Sequence, residues 1–398
     1  MKINPGLLKL DLFCKGIKID TCCDLVNDSR PILRTRGGLG SGLELILPKG
    51  LYINVPVEEH FVRETPYSLF KENENYFIKK DTEIICKVKL PPRPKFYDRK
   101  TSSGKLMSRI AVMQGTYLGI YPTRVCEFWQ MAPKMNCRFC SVGLNVGHTE
   151  ETEKSVGEVL ETVRAAQREE RITFVHFNTG FLNSEELDIL DPYILAVKRD
   201  TGLLIGVQCP PSPNLARYDH LKEIGVDHLS FCLEVYGAEK FREVCPGKYK
   251  YISQKRYWET IEYCVKLFGK GKVAGEIIAG LEEPRDTIKA IEGLAKINAV
   301  STVCVFRPCL GTALENLKPP SPQELIPVFR RMYEVCLENK IPIGIAPNIK
   351  VSLVILPEEG RYFQEGFNIN FFISRCGLSI IKLLFRAYFI AKIIFKRK

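Results

Sequence analysis

Long hydrophobic runs are missing from this sequence. The N-terminal stretch MKINPGLLKLDLFCKGIKID holds no continuous apolar segment and no small-residue cleavage site, so no secretory signal is expected. Near the other end, FFISRCGLSIIKLLFRAYFIAKIIFKRK is apolar enough to suggest a span. Arg375, Lys382, Arg386 and Lys392 interrupt it, and no charge-free run reaches the ~20 residues a crossing needs. A dense disulfide framework is also missing. The fifteen cysteines are odd in number and spread along the chain, as in a reduced cytosolic protein. Cys232, Cys264 and Cys304 sit inside apolar runs and read as small core residues. The net charge of +11 comes from dispersed lysines and arginines, without a recognised nucleic-acid motif, so no nucleic-acid partner is expected. No repeat of 20–50 residues stands out beyond a βα unit.

What is present is a chain of 398 residues, 45% hydrophobic, enough for one large or two modest domains. Residues 1–105 read as a small β-rich domain. GLELILPKGLYINVPV alternates around PKG as a hairpin does, and NYFIKKDTEIICKVKL gives a second strand pair. RTRGGLGSG reads as a flexible or tightly turning loop, and the Pro- and charge-rich PPRPKFYDRKTSSGK as a linker. Across 106–355 helical patterns alternate with strands that lack clean polar alternation: ITFVHFNTG, LLIGVQCPP, VDHLSFCLEV, VAGEIIAGL and VSTVCVFRPCLGT. That is the signature of a parallel sheet covered by helices, here a partial or full β/α barrel. Ligand chemistry is then expected at the C-terminal ends of the strands. Residues 356–398 form an extension ending in the basic apolar tail.

RVCEFWQMAPKMNCRFCSVG concentrates Cys126, Cys137 and Cys140, with Phe139 between the last two. Three thiolates can bind three irons of a [4Fe–4S] cube and leave the fourth iron free for another ligand. Zinc is the rival, since a structural zinc takes four protein ligands and His148 stands eight residues after Cys140. The position of the trio ahead of a βα barrel pattern, and an aromatic face able to flank a purine, favour iron–sulfur.

The C-x2-C pair, with an aromatic before its last cysteine at the start of a βα barrel, resembles the radical S-adenosylmethionine (SAM) enzymes. Those enzymes cleave SAM reductively at a [4Fe–4S] cluster to make a 5′-deoxyadenosyl radical that abstracts hydrogen from substrate. Their usual spacing is C-x3-C-x2-C, whereas this chain has C-x10-C-x2-C. The wider stretch PPRPKFYDRKTSSG…VCEFWQ…NCRFCSVGLNVG, with RGGLG and YINVPV before it, resembles a biotin-synthase-related group with a similarly lengthened loop. The resemblance implies SAM contacts residue by residue. Phe139 would flank adenine. Glu234, ending HLSFCLE, would bind the ribose hydroxyls. Thr179 and Gly180 in HFNTG would meet the SAM amino group, and Gly275, Ile277 and Gly280 in GEIIAG would pack near adenine. Arg256 lies one residue from the family's arginine for the SAM carboxylate. Biotin synthases carry a second cluster, of whose ligands Cys209 matches one, while Ala274 and His176 stand where cysteines would be. Biotin synthase activity is therefore not expected. The resemblance also implies an electron donor such as ferredoxin or flavodoxin.

At about 100° per residue, Lys382 and Arg386 fall within ~20° of Arg375, and Lys396 and Lys392 on the same side, leaving Phe, Leu and Ile opposite. Such a basic amphipathic helix suits an anionic bilayer surface, here the inner membrane surface, and a lipid-soluble substrate. Docking on the barrel, or a dimer contact, is the other reading of this helix. Two functions from different classes thus compete: a radical SAM enzyme of unspecified substrate, and a non-catalytic zinc- or cluster-binding scaffold at the membrane surface.

Overall fold

The computed structural model describes residues 3–34, 41–366 and 368–396. Most of the RTRGGLGSG loop and the last two residues fall outside these, as do the side chains of Lys392 and Lys396. Helix α1 (Pro5–Lys15) begins at Asn4, whose side chain accepts from the Gly6 and Leu7 N–H groups, satisfying donors the first turn leaves open. Strand β1 (Lys18–Ile19), helix α2 (Leu25–Asp28) and strand β2 (Leu33–Arg34) follow. Strands β3 (Ser41–Leu47) and β4 (Leu51–Pro56) pair antiparallel across Pro48–Gly50, the hairpin expected from the alternation, and bury Leu43, Leu45 and Leu47 on one face. Strands β5 (Tyr67–Glu72), β6 (Asn75–Lys80) and β7 (Glu83–Val88) form an antiparallel meander, with β1 added parallel at its edge.

Beyond helix α3 (Met107–Ile110), strands β8 (Ala111–Gln114) and β9 (Tyr117–Ile120) open the large sheet. Then βα alternation takes over: α4 (Val156–Glu170), β10 (Phe174–Asn178), α5 (Glu186–Thr201), β11 (Leu204–Gln208), α6 (Ala216–Glu223) and β12 (His228–Glu234). Three helices, α7 (Ala238–Val244), α8 (Pro246–Tyr251) and α9 (Gln254–Phe268), lead to β13 (Val273–Ala279), α10 (Pro284–Lys296), β14 (Val300–Val305) and α11 (Pro322–Glu338). The seven strands run in the order β14-β13-β12-β11-β10-β9-β8, parallel except for the β8–β9 pair. This is a partial barrel. The helices start where the sequence says they should. Ser155 and Glu158 form a capping box on α4, Ser253 caps α9, and prolines open α10 and α11.

The gap between β14 and the β8–β9 pair is crossed by the segment 342–358. Thr116 N–H donates to the Lys350 carbonyl at 3.0 Å, and Val303 bridges to Ile355. Gly115, with φ +73°, allows this approach: a Cβ there would lie 1.9 Å from the Lys350 carbonyl oxygen. Helix α12 (Ile369–Lys396) then lies under the N-terminal ends of the strands, where Phe389 packs with Tyr117, Phe174 and Leu204.

The N-terminal region is sewn to this barrel by polar contacts as well as by the common apolar core. Asn54 N–H donates to the Ser352 carbonyl at 2.7 Å, and Arg307 on the barrel bonds Asn54. Lys9 of α1, fully buried, meets Glu359 at 2.7 Å. Burial alone pushes the Lys9 ammonium down, and Glu359 opposes that shift. Removing one partner of such a pair strands the other charge. Lys9→Ala is therefore expected to destabilise the protein by about 3–5 kcal/mol, and Lys9→Met with Glu359→Gln by much less. Urea unfolding midpoints of the three proteins check this; equal loss in the single and the double variant would refute it.

Candidate active site

A cavity of about 640 Å³ occupies the barrel interior. Strand pleating decides which side chains enter it. On β13, Ala274, Glu276 and Ile278 face inward, whereas Gly275 faces α10: a Cβ on it would meet the Leu294 side chain at 2.6 Å. Ile277 shares that outward parity and is fully buried against the helices. Gly280, at φ +99°, lies against Pro320. Gly275 and Ile277 thus sit on the helix-packed side of β13, while Gly280 follows the strand in a left-handed turn against Pro320.

At the C-terminal ends of the strands, Cys126, Cys137, Phe139 and Cys140 line the cavity together. The ten-residue excursion between the first two cysteines returns to the barrel mouth. Cys126 caps the turn Glu127–Trp129, Phe128 stacks on Phe181 with ring centroids 4.4 Å apart, and the Trp129 indole covers Gly143. Phe181 N–H donates to Cys126 Sγ at 3.4 Å and Val142 N–H to Cys140 Sγ at 3.5 Å. Gly180 makes the approach possible, since a Cβ there would sit 2.4 Å from the Cys126 Cβ. Thr179 and Gly180 both line the cavity.

Burial pushes the Cys126 thiol up to about 11 and the Cys140 thiol up as well, while a hydrogen bond with Cys245 holds Cys137 below the ordinary thiol range. Thiols buried in this way ionise readily only beside strong positive charge, which iron ions supply. Asn178 Oδ1, buried in the same wall, has no partner and leaves an acceptor for a ligand. The donor set therefore fits a thiolate-bound cluster. His148, the fourth ligand in the zinc reading, is exposed and does not line the cavity. Among the described residues no three His, Cys, Asp or Glu side chains converge as one ion would need.

Glu234 closes β12 at a register shift, with φ +69°, a left-handed conformation costly for a side chain of this size. The turn aims its carboxylate into the cavity, where it pairs with Lys248 of α8. Lys248 also donates to the Cys232 carbonyl at 3.0 Å. Burial would push the ammonium down, but Glu234 holds it well above the ordinary range. Arg256 is half-buried on α9 and does not line the cavity; its helix register points it elsewhere, and Lys248 is the cation beside Glu234. Cys209, Ala274 and His176 all line the cavity.

Deeper in the barrel lies a belt of polar groups that the sequence reading missed. Gln208 donates to Glu276 and, at 3.0 Å, to Cys232; Ser230 lies 3.4 Å from His176. Burial first, then the charge of Glu234, pushes the Glu276 carboxyl up to about 7, and burial lowers His176 to about 3. The available signal was a lone acidic residue inside the apolar strand VAGEIIAG, at the parity of Ala274.

Residues 132–295 match the model of the radical SAM superfamily, a stretch that takes in Cys137 and Cys140 and begins after Cys126. The chain therefore carries a radical SAM domain, and enzymes of that superfamily use a [4Fe–4S] cluster and SAM. A bacteriochlorophyllide c C-7(1)-hydroxylase from Chlorobaculum limnaeum is 23% identical over 129 residues, 32% of either protein. The chain thus spans about a third of that relative's length. Among solved structures, methylornithine synthase superposes with TM-score 0.45 at 18% identity, over 69% of this chain and 86% of that one. The hydrogenase maturase HydG from Carboxydothermus hydrogenoformans gives 0.43 at 18% identity, over 55% and 50%.

The Glu276 carboxyl binds its proton more tightly folded than unfolded. Its contribution to stability is whole below pH 4.5 and is lost as pH rises toward about 7. The loss is on the order of 3 kcal/mol. Glu276→Gln is expected to flatten this fall, so that the variant melts higher than the wild type at pH 8 but not at pH 4.5. Melting temperatures at the two pH values check it; a constant difference would count against a buried proton.

Proposed function

We propose that this chain is a radical SAM enzyme acting on a lipid-soluble substrate, with the cluster on Cys126, Cys137 and Cys140. The observation that carries the reading is the meeting of these three cysteines, Phe139 and Glu234 on one cavity at the C-terminal ends of the strands. The cluster and SAM, reduced by a donor such as ferredoxin or flavodoxin, supply the radical chemistry. The residues of the chain bind and orient. Phe139 offers a face to the purine. Glu234 accepts from two adjacent ribose hydroxyls, a charge-assisted arrangement. Lys248, rather than Arg256, neutralises the SAM carboxylate, and the backbone around Thr179 and Gly180 receives the amino group. The barrel wall keeps water from the reacting carbon.

Anaerobically reconstituted protein under strong reductant is expected to release 5′-deoxyadenosine. Glu234→Gln should keep its iron and sulfide but bind SAM about tenfold or more weakly, the loss of a charge-assisted bond. A triple Cys→Ala variant should lose the iron. A fully loaded wild type that never yields 5′-deoxyadenosine moves the protein to the scaffold reading.

The same proposal places the protein peripherally at a membrane. No helix among the described residues is long and apolar enough to cross one. Helix α12 docks by a narrow stripe, Phe371, Leu378, Phe385 and Phe389, which falls beside the cations rather than opposite them. Ile380, Leu383, Leu384 and Tyr388 remain exposed on the broad apolar side, with Arg375, Lys382 and Arg386 at its margin. An apolar face bordered by cations matches an anionic bilayer surface. Ile380→Asp with Leu384→Asp is expected to release the protein from phosphatidylglycerol vesicles. Changing the three cations to glutamine should weaken binding at low salt by about fivefold per charge. Undiminished sedimentation of both variants would refute the contact.

A further inference from the structure

The cavity does not end below the cysteines. Its wall continues along the whole length of the strands, past the polar belt, to Phe174, Leu204 and Val300 at their N-terminal ends. Two residues of α12, Ile381 and Phe385, complete the lining there. Ile381 is 48% exposed and lines the cavity at the same time, so the interior reaches the surface beside α12. Polar groups line the wall at the cluster end and in the belt of His176, Gln208, Cys232 and Glu276. Below the belt Phe174, Leu204, Val300, Ile349 and Phe385 form an apolar patch, and Gln114, Asp227, His228, Lys270 and Lys272 border it at the strand N-termini.

We propose that the barrel is a two-ended passage, and that its lower half holds the hydrocarbon chain of an amphiphile whose uncharged hydrogen-bonding group meets Gln208 and Glu276. The proposal rests on the reading above and gives its lipid-soluble substrate a place and a direction. The belt lies between the cysteine end and the apolar half, so the carbons next to the polar group are those nearest the radical chemistry. An uncharged group suits the belt: a carboxylate would face the buried Glu276, and an ammonium would have to leave water without a full counter-charge. The chain below needs no such partner. Its far end lies at Ile381, where the exposed apolar side of α12 continues from the opening.

Diphenylhexatriene, a rod-shaped fluorophore that is dark in water, probes the passage without any turnover. Cluster-loaded full-length protein in detergent-free buffer should bind it saturably at one site, and 1-dodecanol should displace it. Leu204→Trp, or Ile349→Trp on the opposite wall if the first fails to fold, should weaken the probe about tenfold or more while iron content and melting stay near the wild type. Leu384→Arg, on the outward side of α12, should leave probe affinity unchanged. Dodecanol should compete about fivefold better than 1-chlorododecane, and Glu276→Leu should erase that preference, the worth of one hydrogen bond. Loss of probe binding in Leu384→Arg, full binding in the tryptophan variants, or equal competition by the two alkyl compounds in the wild type would each overturn the passage. Wild-type protein that forms 5′-deoxyadenosine but has no probe site refutes the passage alone. Protein that binds the probe and forms none refutes the enzyme reading and leaves the passage standing.

Discussion

The lateral edges of the seven-stranded sheet are the constraint on which the rest depends. A curled sheet that does not close leaves β14 and β8 with unpaired backbone groups and an interior open along one side. Segment 342–358 answers both needs, joining Thr116 on one flank and Val303 on the other. It also lends Ile343, Ile349 and Leu353 to the cavity wall. The N-terminal hairpin backs this closure through Asn54, and α1 clamps the turn that follows it through Lys9 and Glu359. The β-rich region thus serves the barrel by holding its fourth side, and an interior of this size exists because of it.

Within that enclosure pleating sorts the chemistry. Every second residue of each strand is committed to the cavity, so polar side chains at that parity are desolvated whether or not they have partners. The chain meets this with a network. Gln208 bridges Glu276 and Cys232, and Ser230 stands beside His176. Burial in a poorly hydrated wall, and then the nearby charge of Glu234, raise the Glu276 carboxyl to about 7. Lys248 settles the other carboxylate by pairing with it. Two acidic residues on neighbouring strands thus differ in partner: Glu234 has a cation in reach, and Glu276 has the Gln208 amide.

Much of this was legible in the sequence, and the limits have physical causes. The βα alternation, the hairpin at PKG and the cluster of cysteines are local patterns, and each appears where the pattern placed it. Segments named for Gly275 and Ile277 were located, but their parity was not, because an apolar strand buried on both faces has no polar alternation to mark its inner side. Glu276 next to them carried the mark. Lys248 escaped because its partner Glu234 lies on another element, fourteen residues away, and only the fold joins them. The docking stripe of α12 was equally hidden. A helical wheel reports which residues share a side, while the choice of side for the barrel belongs to Tyr117, Phe174 and Leu204, far away in sequence.

Helix α12 ties the two ends of the molecule together. Phe389, 2% exposed, packs on the barrel floor beside the opening, and the facing side of the helix presents Leu384 and Tyr388 outward. One element therefore has two apolar sides with separate partners. The inner stripe is narrow because the floor is narrow: it is set by the ends of three strands. The outer side is broad, and exposed aliphatic area of that extent is unfavourable in water at about 25 cal/mol per Å². Whatever covers the outer side must also border the opening at Ile381, one turn from Phe385. A surface covering that outer side would therefore face the strand N-termini, with the cysteines at the opposite end of the barrel. On the proposed reading, reductant would meet the cluster from the aqueous side and apolar material would meet the floor from the other.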